Sequence, residues 1–551
     1  MRRPLLPLAV TFLIAAAIGR IALTYSIFNQ TWDEPAHVAA GMEWLSRGKY
    51  TYEPLHPPLA RVMVALGPYL DGLRTVGYES VWIEGNALLY GRHAYTRNLT
   101  LARLGVLPFF VMGALAVFFW ARHLFGRPAA LLATLLFTTL PPVLAHAGIA
   151  TTDMAATGSL ALAFYAAARW LEAPSVRRGI ALGLAVGIAV LSKLSALLFL
   201  PAALVAVALL YRRSMGPPAG RLAAARAAYV SAILVVWAGY RFSIGPLVTE
   251  ADIPLEGRPA AQGDFGGLYR AAYTLARAPV YPAPEFFQGL AMLRGKNQAG
   301  QKAYLLGDVR QDGWWYFFPV ALAVKTPIPF LLLFGLGTAA ALRLPGPSRW
   351  GALAPAAAAG AILLVALPSR INIGLRHVLP MYPLMAVMAG AGAVALWRWR
   401  ADRRLGPVAL ALLVGWQVLA GLRAHPDYIA YFNEAAGSHP ERILVDSDLD
   451  NGQDLRRLAD TLRARGVKEV ALAYAGSATV AEHGMPRIRW LEPHRPDTGW
   501  VAASLWSLKL GSLNQPGHDD FAWLERYRPV ARVGRSIRLY YIPSAGADSL
   551  R

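Results

Sequence analysis

Thr31-Trp32-Asp33-Glu34-Pro35-Ala36-His37 follows, after only Asn29 and Gln30, an apolar run over residues 5–28. A helix needs about twenty apolar residues to cross about 30 Å of hydrocarbon, and this run is long enough. It is longer than a signal-peptide core, and no small-residue cleavage site follows it, so an uncleaved first span is expected. Two adjacent carboxylates, bracketed by Trp and Pro, therefore sit where the chain leaves the membrane. About twenty residues on in the same loop comes Glu53-Pro54-Leu55-His56-Pro57-Pro58-Leu59. In a basic chain, a loop built around acid, His and Pro stands out.

The 551 residues are 56% hydrophobic and 16% charged. Soluble proteins carry about 25% charged residues, so the composition is that of an integral membrane protein with some soluble mass. The net charge is +21. Nucleic-acid binding is one reading of such a charge. The arginines instead cluster in short loops between apolar stretches, as membrane orientation requires, which argues against a nucleic-acid partner. There is no cysteine, hence no disulfide and no Cys metal site.

Spans are expected at 5–28, 101–124, 128–147, 152–171, 178–194, 195–212, 223–243, 314–343, 350–368, 376–397 and 405–422, about eleven in all. With the N-terminus inside, the inner loops hold Arg2 and Arg3, Arg122 and Arg127, Arg169, Arg177 and Arg178, Arg212, Arg213, Arg221 and Arg226, Arg343 and Arg349, and Arg398, Arg400, Arg403 and Arg404. Only Glu172 and Asp402 oppose them. An odd number of spans puts the C-terminus outside. The expected architecture is an α-helical polytopic membrane domain, 1–424, with outer loops 29–100 and 244–313. A small extracytoplasmic α/β domain, 425–551, follows it.

In the first outer loop, 36–47 and 59–70 carry apolar residues at helical spacing and are expected to lie along the membrane surface. Loop 244–313 leads into Trp314-Trp315-Tyr316-Phe317-Phe318, an interfacial aromatic belt. In the tail, 443–445, 467–474, 500–505 and 537–542 read as strands and 453–465 as a helix. No Gly-rich phosphate loop is present.

Asp33 and Glu34 can divide labour: one carboxylate takes a proton from an acceptor hydroxyl, the other holds the acceptor or a cation. The bland alternative is helix capping, since a helix follows and its first turn favours negative charge. Asp153, after Thr151-Thr152, faces the same outer space as His146 and has the same two readings. Arg20, Arg92, Arg97, Arg103, Lys193, Lys325, Arg370 and Arg376-His377 are cations where the inside rule does not call for them. Such a group suits a phosphate, or snorkels to lipid headgroups. Asn98-Leu99-Thr100 fits the N-glycosylation pattern, which is frequent by chance. Asp446, Asp448, Asp450 and Asp454 lack the Gly and Glu offsets of a calcium loop.

These residues resemble a family. The first span, the Asp33-Glu34 pair, His56-Pro57-Pro58-Leu59, Thr151-Thr152-Asp153-Met154, Lys325-Thr326-Pro327 and 372–380 together look like membrane glycosyltransferases with polyprenyl-phosphate sugar donors. These are the protein O-mannosyltransferases and aminoarabinose transferases of glycosyltransferase family 39, in the C-type superfamily. The His-Pro-Pro-Leu is that of the mannosyltransferases; the aminoarabinose transferases have Lys there. The tail segments 425–434 and 446–455 resemble a bacterial subgroup that usually has Asn and Trp where this chain has Asp448 and Asn451.

The resemblance implies inverting transfer of a sugar, mannose-like by the His-Pro-Pro-Leu, at the outer face of a bacterial inner membrane. The acceptor would be a protein, lipid or glycan. Asp33, Glu34 and Asp153 would be catalytic, with Asp33 the base. Arg376, Lys325, Arg103, His56 and His377 would meet the donor phosphate. The implied partners are the polyprenyl-phosphate sugar, membrane lipid and an acceptor. No cofactor is called for, and a divalent cation is left open. The rival reading is a transporter or flippase of lipid-linked saccharides. It fits less well, because the polar residues gather at one face and no internal repeat is visible.

Overall fold

The computed structural model describes residues 5–211, 221–247, 280–399, 404–511 and 520–543. The expected strands and spans lie within them, except for residue 212 at the end of the span 195–212; much of loop 244–313 does not.

Each expected span has a helix. In chain order these are α1 (Leu5–Ala22), α2 (Glu34–Arg47), α3 (Pro58–Leu70), α4 (Val81–Leu89), α5 (Tyr95–Leu104), α6 (Leu107–Thr138), α7 (Pro141–Ala147), α8 (Asp153–Glu172), α9 (Val176–Ser192), α10 (Ala196–Tyr211) and α11 (Arg221–Gly239). Further helices follow at Pro284–Ala299, Phe317–Lys325, Ile328–Leu342, Gly346–Ala366, Met381–Trp397 and Leu405–Arg423. Among the described residues, five helices are long and apolar enough to cross a membrane by themselves, and a bent pair brings the number to six. Leu8 and Phe12 on α1, Val205 and Leu209 on the shorter α10, and Leu222 and Tyr229 on α11 are exposed. So much outward apolar surface suits lipid rather than water.

Two expectations change. The span expected at 128–147 is the second half of α6, which turns at Gly126 (φ 84°), and a separate short α7. The span expected at 314–343 is two helices bent by 110° at Thr326-Pro327. Proline ends a helix by removing a donor and crowding the preceding turn. The separate helices expected at 178–194 and 195–212 are α9 and α10, and the extended backbone of Lys193 (φ −162°, ψ 136°) divides them.

Close packing is set by glycine. On α9, Gly179, Gly183 and Gly187 share one face, and a Cβ on Gly179 or Gly183 would come within 2.1–2.2 Å of a carbonyl oxygen of α11. Helices in lipid have no hydrophobic drive to associate, so small residues that let backbones touch supply the contact.

Four short strands pair in twos, β1 (Ile244–Gly245) with β2 (Tyr281–Pro282) and β3 (Ala303–Leu305) with β4 (Asp308–Arg310). In the tail, β5 (Glu469–Ala473), β6 (Arg487–Trp490), β7 (Gly499–Ser504), β8 (Ala531–Val533) and β9 (Ile537–Ile542) form one sheet of order β6-β5-β7-β9-β8. The first three in that order are parallel, and β9 runs antiparallel to both its neighbours, β7 and β8. Strand alternation gives the sheet two apolar faces. Val470 and Leu472 pack under Leu455, Leu458 and Leu462 of helix Leu455–Ala464, while Ala471 and Ala473 face Phe521 and Leu524. The strand expected at 443–445 is absent. Those residues join a 3-10 turn to a short helix, Asp446–Leu449, whose loop reaches back to the membrane helices.

Candidate active site

A cavity of about 1630 Å³ opens where loop 29–100, the 369–377 segment and the tail loop 446–451 meet. Asp33, Asp153, Lys193, Arg376 and Asp446 are among its polar lining residues. Leu197 and Leu198 of α10, Leu290 and Leu293, and Val365 and Ala366 are among the apolar ones, and Arg294, Lys296, Lys302 and Arg310 line it as well.

Among the polar residues four charges alternate. Arg376 Nη1 donates to Asp33 Oδ2 at 2.5 Å and lies 4.0 Å from Asp153 Oδ2. Lys193 Nζ donates to Asp153 Oδ1 at 2.5 Å. Each local structure serves this chain of charges. Asp33 occupies the N-cap position of α2 but makes no side-chain cap bond; its carboxylate turns to Arg376 instead. Asp153 starts α8 and turns to Lys193, whose extended backbone breaks α9 from α10. Burial alone would raise the Asp33 carboxyl, but the Arg376 guanidinium holds it below the usual carboxylate range.

The tail fixes Arg376. The Leu375 backbone N–H donates to both oxygens of the Asp448 carboxylate, at 3.0 and 3.2 Å. Ser447 Oγ donates to the Ile373 carbonyl. Gly374, at φ 136°, makes the turn between these two holds. The Arg376 Nε is buried and has no partner among the described residues.

Not every expected site residue reaches the cavity. Glu34 is fully buried, and its two oxygens accept from Arg103 Nε and Nη2, each at 2.8 Å. It also accepts from the Ala150 and Thr31 backbone. Arg103 further donates to the Asn29 carbonyl at 2.9 Å. This pair pins the first loop to α5 and to the turn before α8; neither residue lines the cavity. Lys325 Nζ donates to the Ile429 and Asp448 carbonyls and is 3% exposed, so it ties the bent span to the tail. Arg103 and Lys325, expected at a phosphate, and Glu34, expected at the acceptor, thus make holding contacts here and stand apart from the cavity lining.

His56 and His377 do line the cavity. The His56 ring meets His37 edge-on, with centroids 5.3 Å apart. Burial and the nearby Arg61 push His56 well below its ordinary value. At neutral pH it offers an N–H rather than a charge.

Lys193 was visible in the sequence as an outer-side cation, yet nothing there linked it to Asp153, forty residues away. Asp446 was hidden in the aspartate-rich tail loop. Among the described residues no group of three or more His, Cys, Asp or Glu is arranged to hold a metal ion. Asp33 and Asp153 are each paired with a cation, Arg376 and Lys193. Asn98, of the Asn-Leu-Thr pattern, is 2% exposed and donates to the Leu88, Leu89 and Gly91 carbonyls.

Burial, with Asp448 and Asp33 adding to it against Arg376, pushes Asp446 up to about 7 from an ordinary 3.8. The folded protein therefore holds this proton more tightly than the unfolded chain between those values. Its stabilising contribution is full below the unfolded value and is lost as pH rises through about 7. Thermal stability in detergent should fall from acid to neutral pH, and Asp446→Asn should flatten part of that slope. Equal slopes in the two proteins would remove Asp446 as the titrating group.

Residues 97–240 match the family described as dolichyl-phosphate-mannose-protein mannosyltransferase. The fold resembles ArnT from Cupriavidus metallidurans in the apo state, with 14% identity, a TM-score of 0.51, and 96% of this chain and 97% of that one covered. It also resembles the archaeal oligosaccharyltransferase AglB from Archaeoglobus fulgidus, solved with an inhibitory peptide and a dolichol-phosphate. There the identity is 11%, the TM-score 0.50, and the coverage 97% of this chain and 74% of that one. Comparison with curated protein sequences finds no match. The chain thus has the fold of ArnT and AglB, and over residues 97–240 it is similar to the dolichyl-phosphate-mannose-protein mannosyltransferase family.

Proposed function

We propose that this protein transfers a sugar from a polyprenyl-phosphate carrier to an acceptor hydroxyl, with inversion, at the outer face of a bacterial inner membrane. The N-terminus lies inside and the tail outside. One observation carries the reading: a single cavity joins a carboxylate–guanidinium pair to an apolar wall that opens toward lipid-facing α10. Such a cavity suits a ligand with a charged head and a hydrocarbon tail. AglB, of the same fold, was solved with such a lipid phosphate.

The carrier tail lies against Leu197, Leu198, Val365 and Ala366, and its phosphate meets Arg376 and Lys193. A guanidinium has five donors, so Arg376 can keep Asp33 on one edge and take a phosphate oxygen on its free Nε. Asp33 then accepts the acceptor's hydroxyl proton as its oxygen bonds the anomeric carbon. The bond from that carbon to the phosphate oxygen breaks, and the electron pair leaves with the phosphate. A carboxylate held low by Arg376 is a poor base by itself. Arrival of the phosphate shares out the guanidinium charge and raises Asp33 toward the range where it works. The base is thus strengthened when the donor is in place. Polar groups gathered in one cavity suit this chemistry better than a transport path through the midplane. The donor sugar is mannose-like, on the His-Pro-Pro-Leu resemblance.

The test is donor affinity. A charge-assisted contact is worth about 1.5–3 kcal/mol, so Arg376→Ala should weaken binding of a prenyl-phosphate sugar roughly ten- to a hundredfold. Arg376→Lys keeps the charge without the fork and should fall between. An unchanged dissociation constant in purified Arg376→Ala protein would remove Arg376, and the reading that rests on it.

A further inference from the structure

Beside Asp33 the cavity carries a second set of groups that the proposed transfer leaves unused. Trp32, Trp82 and Trp506 line it there, with Asp450 and Asn451. The Trp32 and Trp82 rings meet edge to face, with centroids 6.2 Å apart. The cluster is fixed from both sides. The Trp32 backbone N–H donates to the Asn451 backbone carbonyl at 3.1 Å, and the Trp506 backbone N–H donates to Asp450 Oδ2 at 2.7 Å. Asn451 is 6% exposed, yet its side-chain Nδ2 has no partner among the described residues. A buried donor left unpaired is costly, and the cost is recovered if a ligand supplies the acceptor.

We infer that Trp32, Trp82, Trp506 and Asn451 form a saccharide subsite, so that the acceptor presents a sugar rather than a bare peptide side chain to Asp33. The inference rests on the proposed transfer and names its acceptor class. A pyranose has an apolar C–H face and a rim of hydroxyls. Indole rings supply a large, rigid apolar surface for the first. An unpaired amide N–H and a carboxylate supply a donor and an acceptor for the second. Trp32 precedes Asp33 in the chain, so a sugar against this cluster brings a hydroxyl to the base. Tryptophan at a membrane surface otherwise sits among headgroups. Here Trp82 turns an exposed ring toward the cavity and packs its other edge on Trp32.

The test uses the full-length protein in lipid nanodiscs. Saturation-transfer NMR is run with a panel of methyl pyranosides and short oligosaccharides, and with a Ser/Thr-containing peptide. Binding of undecaprenyl phosphate is followed in parallel by native mass spectrometry. At least one saccharide should bind the wild type, about tenfold more weakly to Trp82→Ala and nearly normally to Trp82→Phe, which keeps a ring. Carrier-phosphate binding should be equal in all three. No saccharide binding, saccharide binding indifferent to Trp82→Ala, or Trp82-dependent binding of the peptide alone would each overturn the inference. Trp82-dependent saccharide binding without carrier-phosphate binding would sustain the subsite and remove the transfer reading instead.

Discussion

Asp33→Asn should lower sugar transfer by about 10²- to 10⁴-fold, the usual effect of removing a general base, while donor binding stays intact. Asparagine matches aspartate in size, and its oxygen still accepts from Arg376 Nη1. What it loses is the capacity to take a proton. Asparagine is about as good a helix cap as aspartate, and Asp33 makes no cap bond in any case. A capping role therefore predicts an almost silent change. The measurement is transfer by purified protein in lipid, with donor binding assayed beside it. Full transfer activity in Asp33→Asn would leave the fold standing without this mechanism.

Arg103→Ala should act on folding instead. Removing one partner of a buried ion pair leaves an uncompensated charge and costs about 3–5 kcal/mol. Whole-protein stability is only about 5–15 kcal/mol, so the variant should be recovered poorly, with a sharply lowered melting temperature. Glu34 would keep its bonds from the Ala150 and Thr31 backbone but lose both from the guanidinium. The double variant Arg103→Met with Glu34→Leu should recover part of the loss, since an apolar pair of similar bulk leaves no orphan charge. A well-folded Arg103→Ala that binds donor weakly would return Arg103 to the phosphate site.

The Arg103 and Arg376 outcomes mark how far the sequence could be read. Both are outer-side cations, and both were expected at a phosphate for that reason. Arg376 lines the cavity beside Asp33; Arg103 is spent on Glu34, 69 residues away. Pairing across such distances leaves no local pattern. The tail divides in the same way. β5, β7 and β9 were legible because both their faces are buried and the runs are apolar. β6 and β8 were missed because they are the sheet's edges: short, and carrying Arg487, Arg489 and Arg532. Charge on an edge strand discourages pairing with another chain, and it also erases the apolar signal a reader needs. The apolar triplet at 443–445 misled for the opposite reason. It is largely buried, but as a connection between turns.

The hold between the two ends of the chain has a consequence for how the protein is made. Asn29 donates to the Gly452 carbonyl, 423 residues further on, and accepts from the Leu455 N–H. At about 5–20 residues per second, synthesis of that interval takes roughly 20–80 s. For all that time Asn29 waits without its tail partners, and the segment bearing Arg376, once made, waits for Asp448. Helices can form one by one, but the cavity wall is complete only when the last hundred or so residues have been made and have folded back onto it. A chain interrupted before that point would carry its apolar helices without a finished site, so that membrane insertion and the onset of the proposed activity are separate events in the protein's life.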